Sequence, residues 1–318
     1  PKADGGNNLK YFDGVERPYL IIPNNTEGFF RTGLTATNSA IVSSSNGKTG
    51  VRFSITDMRN RDIVPNTHMS RDNFSLRANT SLDKVDLDFS VNYTHEDVQN
   101  RPALGDSKAN IGKNLMTLST TYDQAWLKNY EDEDGNYANW NGMDPYNVNP
   151  YWGIYKSNNN SKKDQFRMNA KAVWNISPKL KLQVQSGQSS TDSVLMISRL
   201  LRLLDSKLVD FRIVSSTIKM YNAEILALYN NTWGDFDFNG TFGANMFKVD
   251  NLTTITTGQD MKIKDAVAIS SFDEISVEQN PYTKQMNSVY GAVNLGWKHL
   301  IYFDATVRAD HVIDLASK

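Results

Sequence analysis

The chain has 318 residues, no cysteine and a formal net charge of −1. That removes disulfides, thiolate metal sites and any broad electrostatic attraction to nucleic acid. Mean hydropathy is −0.50, and no stretch approaches the ~20 apolar residues that a membrane-spanning helix needs. A membrane β-barrel stays open, because only alternate residues of its strands face lipid.

Residues 1–33 are polar and rich in Asn, Gly and Pro, with Tyr11, Phe12, Tyr19, Phe29 and Phe30 among them. They read as a connector leading into a sheet, and their start lacks a basic-then-apolar signal pattern. Thr35 to Ser43 reads as a strand. Asn46-Gly47 follows, a dipeptide suited to the positive φ angles of a tight hairpin. The return strand alternates Val51, Phe53 and Ile55 with Arg52, Ser54 and Thr56. Met58 to Met69 reads as a loop broken by Pro65. Residues 73–79 alternate again, turn at Leu82-Asp83-Lys84, and continue with Leu87, Phe89, Val91 and Tyr93 against Asp86, Asp88, Ser90, Asn92 and Thr94.

A long excursion is expected from Asp97 to Lys163, with a helix over Ser107 to Tyr130. The next stretch, EDEDGNYANWNGMDPYNVNPYW, is dense in Asn, Asp, Tyr and Trp. Strands return at Gln165 to Asn175, turn at Ile176-Ser177-Pro178 and continue through Leu180, Leu182 and Val184. Ser189 to Ser216 breaks the pattern. Its TDSVLMISRLLRLLDSKLVDF reads as a helix on a barrel rim or lumen, or as a join between segments that are not contiguous. Lys219 to Asn230 resumes as strand and turns near Trp233.

The following arm sets Phe236, Phe238, Gly240, Phe242, Ala244 and Met246 against Asp235, Asp237, Asn239, Thr241, Gly243 and Asn245. A loop is expected from about Asp250 to Thr283. The last hairpin carries Val289, Gly291, Val293, Leu295 and Trp297 on one face. It reverses at Lys298-His299 and returns with Ile301, Phe303, Ala305 and Val307.

Five hairpins thus have tight turns near Asn46, Asp83, Ser177, Trp233 and Lys298, while the connections between hairpins are long. In an up-and-down meander this gathers the turns at one end and the long loops at the other, as in outer-membrane barrels. Aromatic residues near strand ends (Tyr93, Trp174, Tyr229, Trp233, Trp297, Tyr302) suit a membrane interface. About ten strands as an open sheet would leave unpaired edges in hydrocarbon. They are expected either to close as a small barrel or to have further strands beside them, and the last visible strand favours the second.

Thr32 to Leu82 resembles the first barrel strands of SusC/RagA-type TonB-dependent outer-membrane transporters, with a TG-x-T-x-TNS strand and an Ile63-Val64-Pro65-Asn66 loop. In that loop Asp62 stands where Gly is usual. Asn149-Pro150-Tyr151-Trp152 is similar to the family's NPYW motif. SVYGAVNLGWKHLIYFDATVRAD is similar to one of its hairpins, with Trp297 for the common Tyr. The resemblance implies an all-β, antiparallel, up-and-down transmembrane barrel of 22 strands, of which residues 34–318 would supply about ten. It implies a Gram-negative, Bacteroidetes-type outer-membrane location and import of oligosaccharides or peptides. Implied partners are a SusD-like surface lipoprotein lid, the TonB-ExbB-ExbD energy complex, membrane lipid and lipopolysaccharide, and a possible dimer of transporter–lipoprotein pairs. No plug domain or TonB box is recognisable.

Catalytic signatures are missing from the sequence. His68, His95, His299 and His311 are isolated, and neither HExxH nor Gly-x-Ser-x-Gly occurs. Asp132, Asp134, Gly135 and Asn136 faintly resemble a calcium loop, but no Glu follows at the required spacing, so a solvated turn is expected. No cofactor, metal or enzyme activity is expected. The candidate contacts for ligand or lid are Tyr137, Trp140, Asn141, Tyr146, Tyr151 and Trp152 in the longest loop. Aromatic faces there could stack on sugars or peptide side chains while amides bond hydroxyls or backbone. The alternative is that these residues pack on one another over the rim. Lumen-side Asp86, Asp88, Asp237 and Asn239 read as groups that solvate the interior or face a plug. A structural or adhesive barrel without import is the competing function.

Overall fold

The computed structural model describes residues 8–142, 144, 147–203, 206–262 and 268–316. A short hairpin, β1 (Asn8–Lys10) and β2 (Glu16–Pro18), precedes ten antiparallel strands. These are β3 (Leu34–Ser45), β4 (Thr49–Arg61), β5 (His68–Leu82), β6 (Val85–Gln99), β7 (Ser157–Asn175), β8 (Leu180–Leu203), β9 (Ser206–Trp233), β10 (Phe236–Met261), β11 (Phe272–Trp297) and β12 (Ile301–Ala316). Every strand pairs with its sequence neighbours, so the sheet is a simple meander with β3 and β12 at its edges.

The expected tight turns are all present, and their chemistry fits. Asn46 Oδ1 accepts from the Lys48 and Thr49 amides, at 3.1 and 2.7 Å, and Gly47 takes a φ of 86°. Lys298 and His299 both have positive φ, 52° and 54°, within the three-residue turn 298–300, where the Leu300 amide donates to the Trp297 carbonyl at 2.9 Å.

Register decides what the two faces carry, because paired residues share a face. One row runs Leu82, Val85, Trp174, Leu182, Ala227, Phe242, Gly291, Val307 across β5 to β12. The neighbouring row on the opposite face runs Ser81, Asp86, Val173, Gln183, Leu226, Gly243, Tyr290, Arg308. The apolar face is the open one: Phe242 is 65% and Val307 72% exposed, whereas Gly243, Ser288 and Gly296 opposite are buried. A sheet that curls crowds side chains on its inner surface and spreads them on its outer one. The wall therefore curls around its polar face.

Along β10 the apolar face runs from Phe236 to Met246 before Lys248 interrupts it. Ten residue steps of ~3.3 Å, tilted by ~40°, cover about 25 Å, the height of the lipid band of an outer-membrane barrel. Trp174, Trp233, Phe236 and Trp297 lie on this face at the turn end, where an interfacial girdle belongs.

Five expectations change at the other rim. Ser189–Ser216 is not helical. Apart from residues 204–205, which lie outside the described residues, it forms the upper arms of β8 and β9. The supposed loop at 250–283 is mostly strand, since β10 and β11 stay paired up to Met261 and Phe272. The connection between β4 and β5 is only 62–67, and the long excursion shrinks to 100–156. The expected helix over 107–130 breaks into α1 (Ile111–Met116) and a 3₁₀ turn at Gln124–Lys128. Between these pieces the Ser119 hydroxyl bonds the Thr121 hydroxyl and amide, at 2.9 and 3.4 Å. Short hydroxyl side chains bonding nearby backbone compete with helix.

Candidate functional site

The rim opposite the tight turns is closed by a small independent core. Residues 100–156 supply most of it, ending in α2 (Pro150–Tyr155), and the buried cluster comprises Phe29, Val64, Ile111, Leu115, Leu118, Leu127, Tyr137, Trp140, Val148, Tyr151, Trp152 and Ile154. Segment 8–33 belongs to the same body. Ile22 donates to the Thr120 carbonyl at 2.8 Å, and Asn25 Oδ1 accepts from the Gln124 amide at 2.7 Å. The Arg31 guanidinium reaches the Asp62 and Thr67 carbonyls at 2.9 and 3.0 Å, tying the segment to the β4–β5 connection.

Asn149 is the centre of this cap. It is fully buried, and its Oδ1 accepts from the Tyr151 amide at 2.9 Å as the N-cap of α2, with Pro150 at the first helical position. Its Nδ2 donates to the Leu127 carbonyl at 2.8 Å. The Tyr137 hydroxyl accepts from Trp140 Nε1 and from the Asn149 amide, both at 2.9 Å. The Tyr151 hydroxyl bonds Gln124 Oε1. Burial pushes the Tyr151 phenol up to about 12 and raises Tyr137 as well, since a phenolate there would be stripped of water.

Of the six candidate contact residues, four meet here. Tyr137 and Trp152 stand edge to face at 5.2 Å, Phe29 and Tyr151 at 5.0 Å, and Trp140 against Tyr122 at 5.6 Å. Tyr137, Trp140, Tyr151 and Trp152 are all buried, so their ring faces are occupied by one another and by their neighbours. Asn141 lies at the cap's edge, half-buried, with Nδ2 on the Asn147 carbonyl at 2.7 Å. Tyr146 lies outside the described residues. Asp132 Oδ1 accepts from the Asp134 and Asn136 amides at 3.0 and 2.7 Å, which makes the acidic segment a turn held by its own carboxylate.

The outer surface of the cap exposes residues the sequence reading did not single out, among them Leu104, Met116 and Tyr155. A second rim feature also escaped it. Phe211 and Phe272 stack at 5.4 Å with Met196, Ile213, Met261 and Ile269 around them, at the top of the β8–β11 ribbon. Gly258 makes room there, since a Cβ would meet the Phe272 ring at 2.7 Å.

Below the cap, the inner face of the wall is a hydrogen-bonded polar lattice. Arg71 pairs with Glu96 at 2.5 Å and Arg77 with Asp88 at 2.8 Å. Glu224 accepts from Gln185 and Tyr290, and Asn239 bonds Asn294 at 3.2 Å. A tilted meander with an oily outer face, a polar inner face and a folded cap at one rim has known counterparts among solved structures. The RagAB peptide importer in its open-open state superposes with a TM-score of 0.69 at 15% identity, over 91% of this chain and 32% of that one.

The fold is that of the strands of the RagAB peptide importer. The ferric-catecholate import receptor Fiu of E. coli K12, in its closed form, matches with a TM-score of 0.52 at 9% identity, over 87% of this chain and 40% of that one. The ferric citrate transporter FecA, unliganded, gives 0.52 at 9% over 87% and 38%. This chain spans about a third of the length of the RagAB chain it matches. No family model and no curated protein sequence matches it. Within that fold the ten strands form a sector of wall, and the cap is a connection at its rim.

Proposed function

We propose that this chain forms part of an outer-membrane importer that takes up oligosaccharides or peptides with energy from a TonB complex. The observation that carries the reading is the pairing of surfaces. A lipid-height oily face runs outside strands whose inner face is mainly polar at the same height, and every tight turn lies opposite the folded cap. Such a wall encloses a wet passage, and the cap stands at its mouth.

The cap is the surface on which a SusD-like lipoprotein would close. Tyr137, Trp140, Tyr151 and Trp152 act by holding the cap's shape, while Asn141 at its margin contacts ligand or lid, and Tyr146 stays a candidate for the same contact from its sequence alone. The exposed Leu104 and Met116 supply apolar area for the lid. This reading is supported by the burial of the four rings and by the likeness to a transporter named as an importer, RagAB.

Uptake in whole cells tests it. Cells that depend on the protein should accumulate a labelled oligosaccharide or peptide mixture, and loss of the proton gradient that powers TonB should stop the accumulation. Binding to surfaces or cells that persists without any accumulation would favour the adhesive alternative.

A further inference from the structure

The inner face of the wall is electrically lopsided. On β4 to β7 it carries Arg52, Lys163, Arg167 and Lys171, all exposed, and among the described residues none of the four forms an ion pair. The nearby carboxylates are already engaged, Asp88 by Arg77 and Glu96 by Arg71. Toward the other edge the same face turns acidic. Glu224, Asp237, Asp304 and Asp310 lie there, with Arg308 held by Asp310 at 2.8 Å.

A depression of about 430 Å³ lies where the cationic sector meets the middle of the sheet. Arg167 and Lys171 line it together with Asn169, Gln185, Asn222 and Phe247, and with Asp88, which lies across from Lys171 and is held by Arg77 at 2.8 Å. Its floor is Gly187, where an added Cβ would sit 2.9 Å from Asn169 Oδ1. Any larger residue would push the amide into the hollow. Arg167 and Lys171 are four residues apart on one strand, so their backbones are ~13 Å apart. One small anion cannot engage both at close range.

We propose that this hollow is a subsite for a carboxylated oligosaccharide, and that the wall thereby selects acidic over neutral cargo. The two cations would each meet a carboxylate on a different sugar unit. The amides between them face hydroxyls, and the Phe247 ring offers a surface for sugar C–H faces. Cations on a curved, low-dielectric wall concentrate anions more strongly than the same charges on a flat surface in water. The inference rests on the uptake reading above.

The test uses the full-length protein in lipid nanodiscs, titrated with a galacturonic-acid oligomer, its carboxyl-reduced neutral counterpart and a glutamate-rich peptide of equal charge. The galacturonate oligomer should bind at least ten-fold more tightly than the neutral one, with an affinity that falls as salt rises. Arg167→Gln with Lys171→Gln should cost the acidic oligomer ten-fold or more and leave the neutral one unchanged. Lys171→Arg should retain binding, and Lys171→Glu should reverse the preference. Unchanged thermal unfolding without sugar would show that these variants fold normally.

Equal binding of acidic and neutral oligomers would overturn the proposal, as would tight binding of the peptide. It would fall equally if the double substitution lowered the unfolding midpoint but left sugar binding alone, because the cations would then serve the barrel's interior packing. Uptake of neutral sugars in preference to acidic ones would defeat only this inference. Absence of any TonB-dependent accumulation would defeat the transport reading itself.

Discussion

Replacing Phe242 with arginine should be among the costliest single changes on the wall, while Thr241→Arg beside it should be nearly harmless. Phe242 lies midway between Phe236 at the turn end and Lys248 above the oily band, so it marks the bilayer's mid-depth. A cation at that depth on the lipid face costs about 2–4 kcal/mol. The phenylalanine is 65% exposed on the outer face, which corresponds to roughly 130 Å² of ring in contact with lipid, and losing it removes about 3 kcal/mol more. The sum is about 5–7 kcal/mol. Thr241 pairs with Ala292 and Leu228 on the inner face, where an arginine meets water, and the expected cost is under about 1 kcal/mol. Equilibrium unfolding by urea from lipid vesicles measures both variants against the parent. If Phe242→Arg proved neutral, or the two substitutions cost the same, the assignment of lipid and lumen faces would be wrong. In a water-soluble sheet, charging an exposed phenylalanine would cost little.

Other outcomes follow from the cap. Asn149→Ala removes a helix cap and leaves the Leu127 carbonyl and Tyr151 amide buried without partners, a loss of about 2–4 kcal/mol confined to residues 100–156. Limited proteolysis should cut this loop while the strands stay protected. Tyr137→Phe strands two buried donors, Trp140 Nε1–H and the Asn149 amide, and should loosen the cap by a similar amount, read as faster amide exchange there. The raised Tyr151 phenol means that the folded cap favours the neutral form. Its stabilising effect is therefore complete below the free-tyrosine value near 10 and is lost as pH climbs from there to about 12. Protease sensitivity of the loop should rise across that window and should rise less in Tyr151→Phe. Gly243→Leu should disrupt the wall, since even a Cβ there would lie 2.6 Å from the Tyr290 ring and 2.7 Å from Leu226, and folding yield in vesicles would report it.

Much of the wall was legible because the membrane enforces period two within it. From Phe236 to Met246 one side must be oily and the other wet, so alternation is sharp and the turns stand out. Above the lipid that constraint ends. In β8 the outward residues Val194 and Met196 alternate with the inward Leu195 and Ile197, so both faces are apolar and the period vanishes. Met196 lies against the Phe211–Phe272 pair, which covers the outer side much as a second layer would. A continuous apolar run of that kind reads as helix or strand with equal ease. The opposite failure hid the top of β10. Thr253, Thr254, Thr256 and Thr257 are polar on both faces, and only their β-branching argued for strand.

The cap shows a different limit. The Asn-Pro-Tyr-Trp sequence marked residues that matter, and Asn149 is indeed the cap's hub. What the sequence left open was the direction of the rings. Aromatic and amide residues mixed in a long loop suit ligand contact or mutual packing alike, and only the buried geometry of Tyr137, Tyr151 and Trp152 separates scaffold from surface. The lopsided inner charge was likewise unreadable in chain order, since Arg52, Arg167 and Lys171 come together only through strand register.

The absence of native cysteine permits a direct measurement on β10. Single cysteines placed at each position from 236 to 246 except 243 would carry a small fluorophore in bilayer-reconstituted protein. Quenching from brominated acyl chains should be strong at 236, 238, 240, 242, 244 and 246, and quenching from aqueous iodide at 237, 239, 241 and 245. A profile without that two-residue alternation, or one in which iodide reaches every position, would contradict a wall with lipid on one side and a water-filled interior on the other.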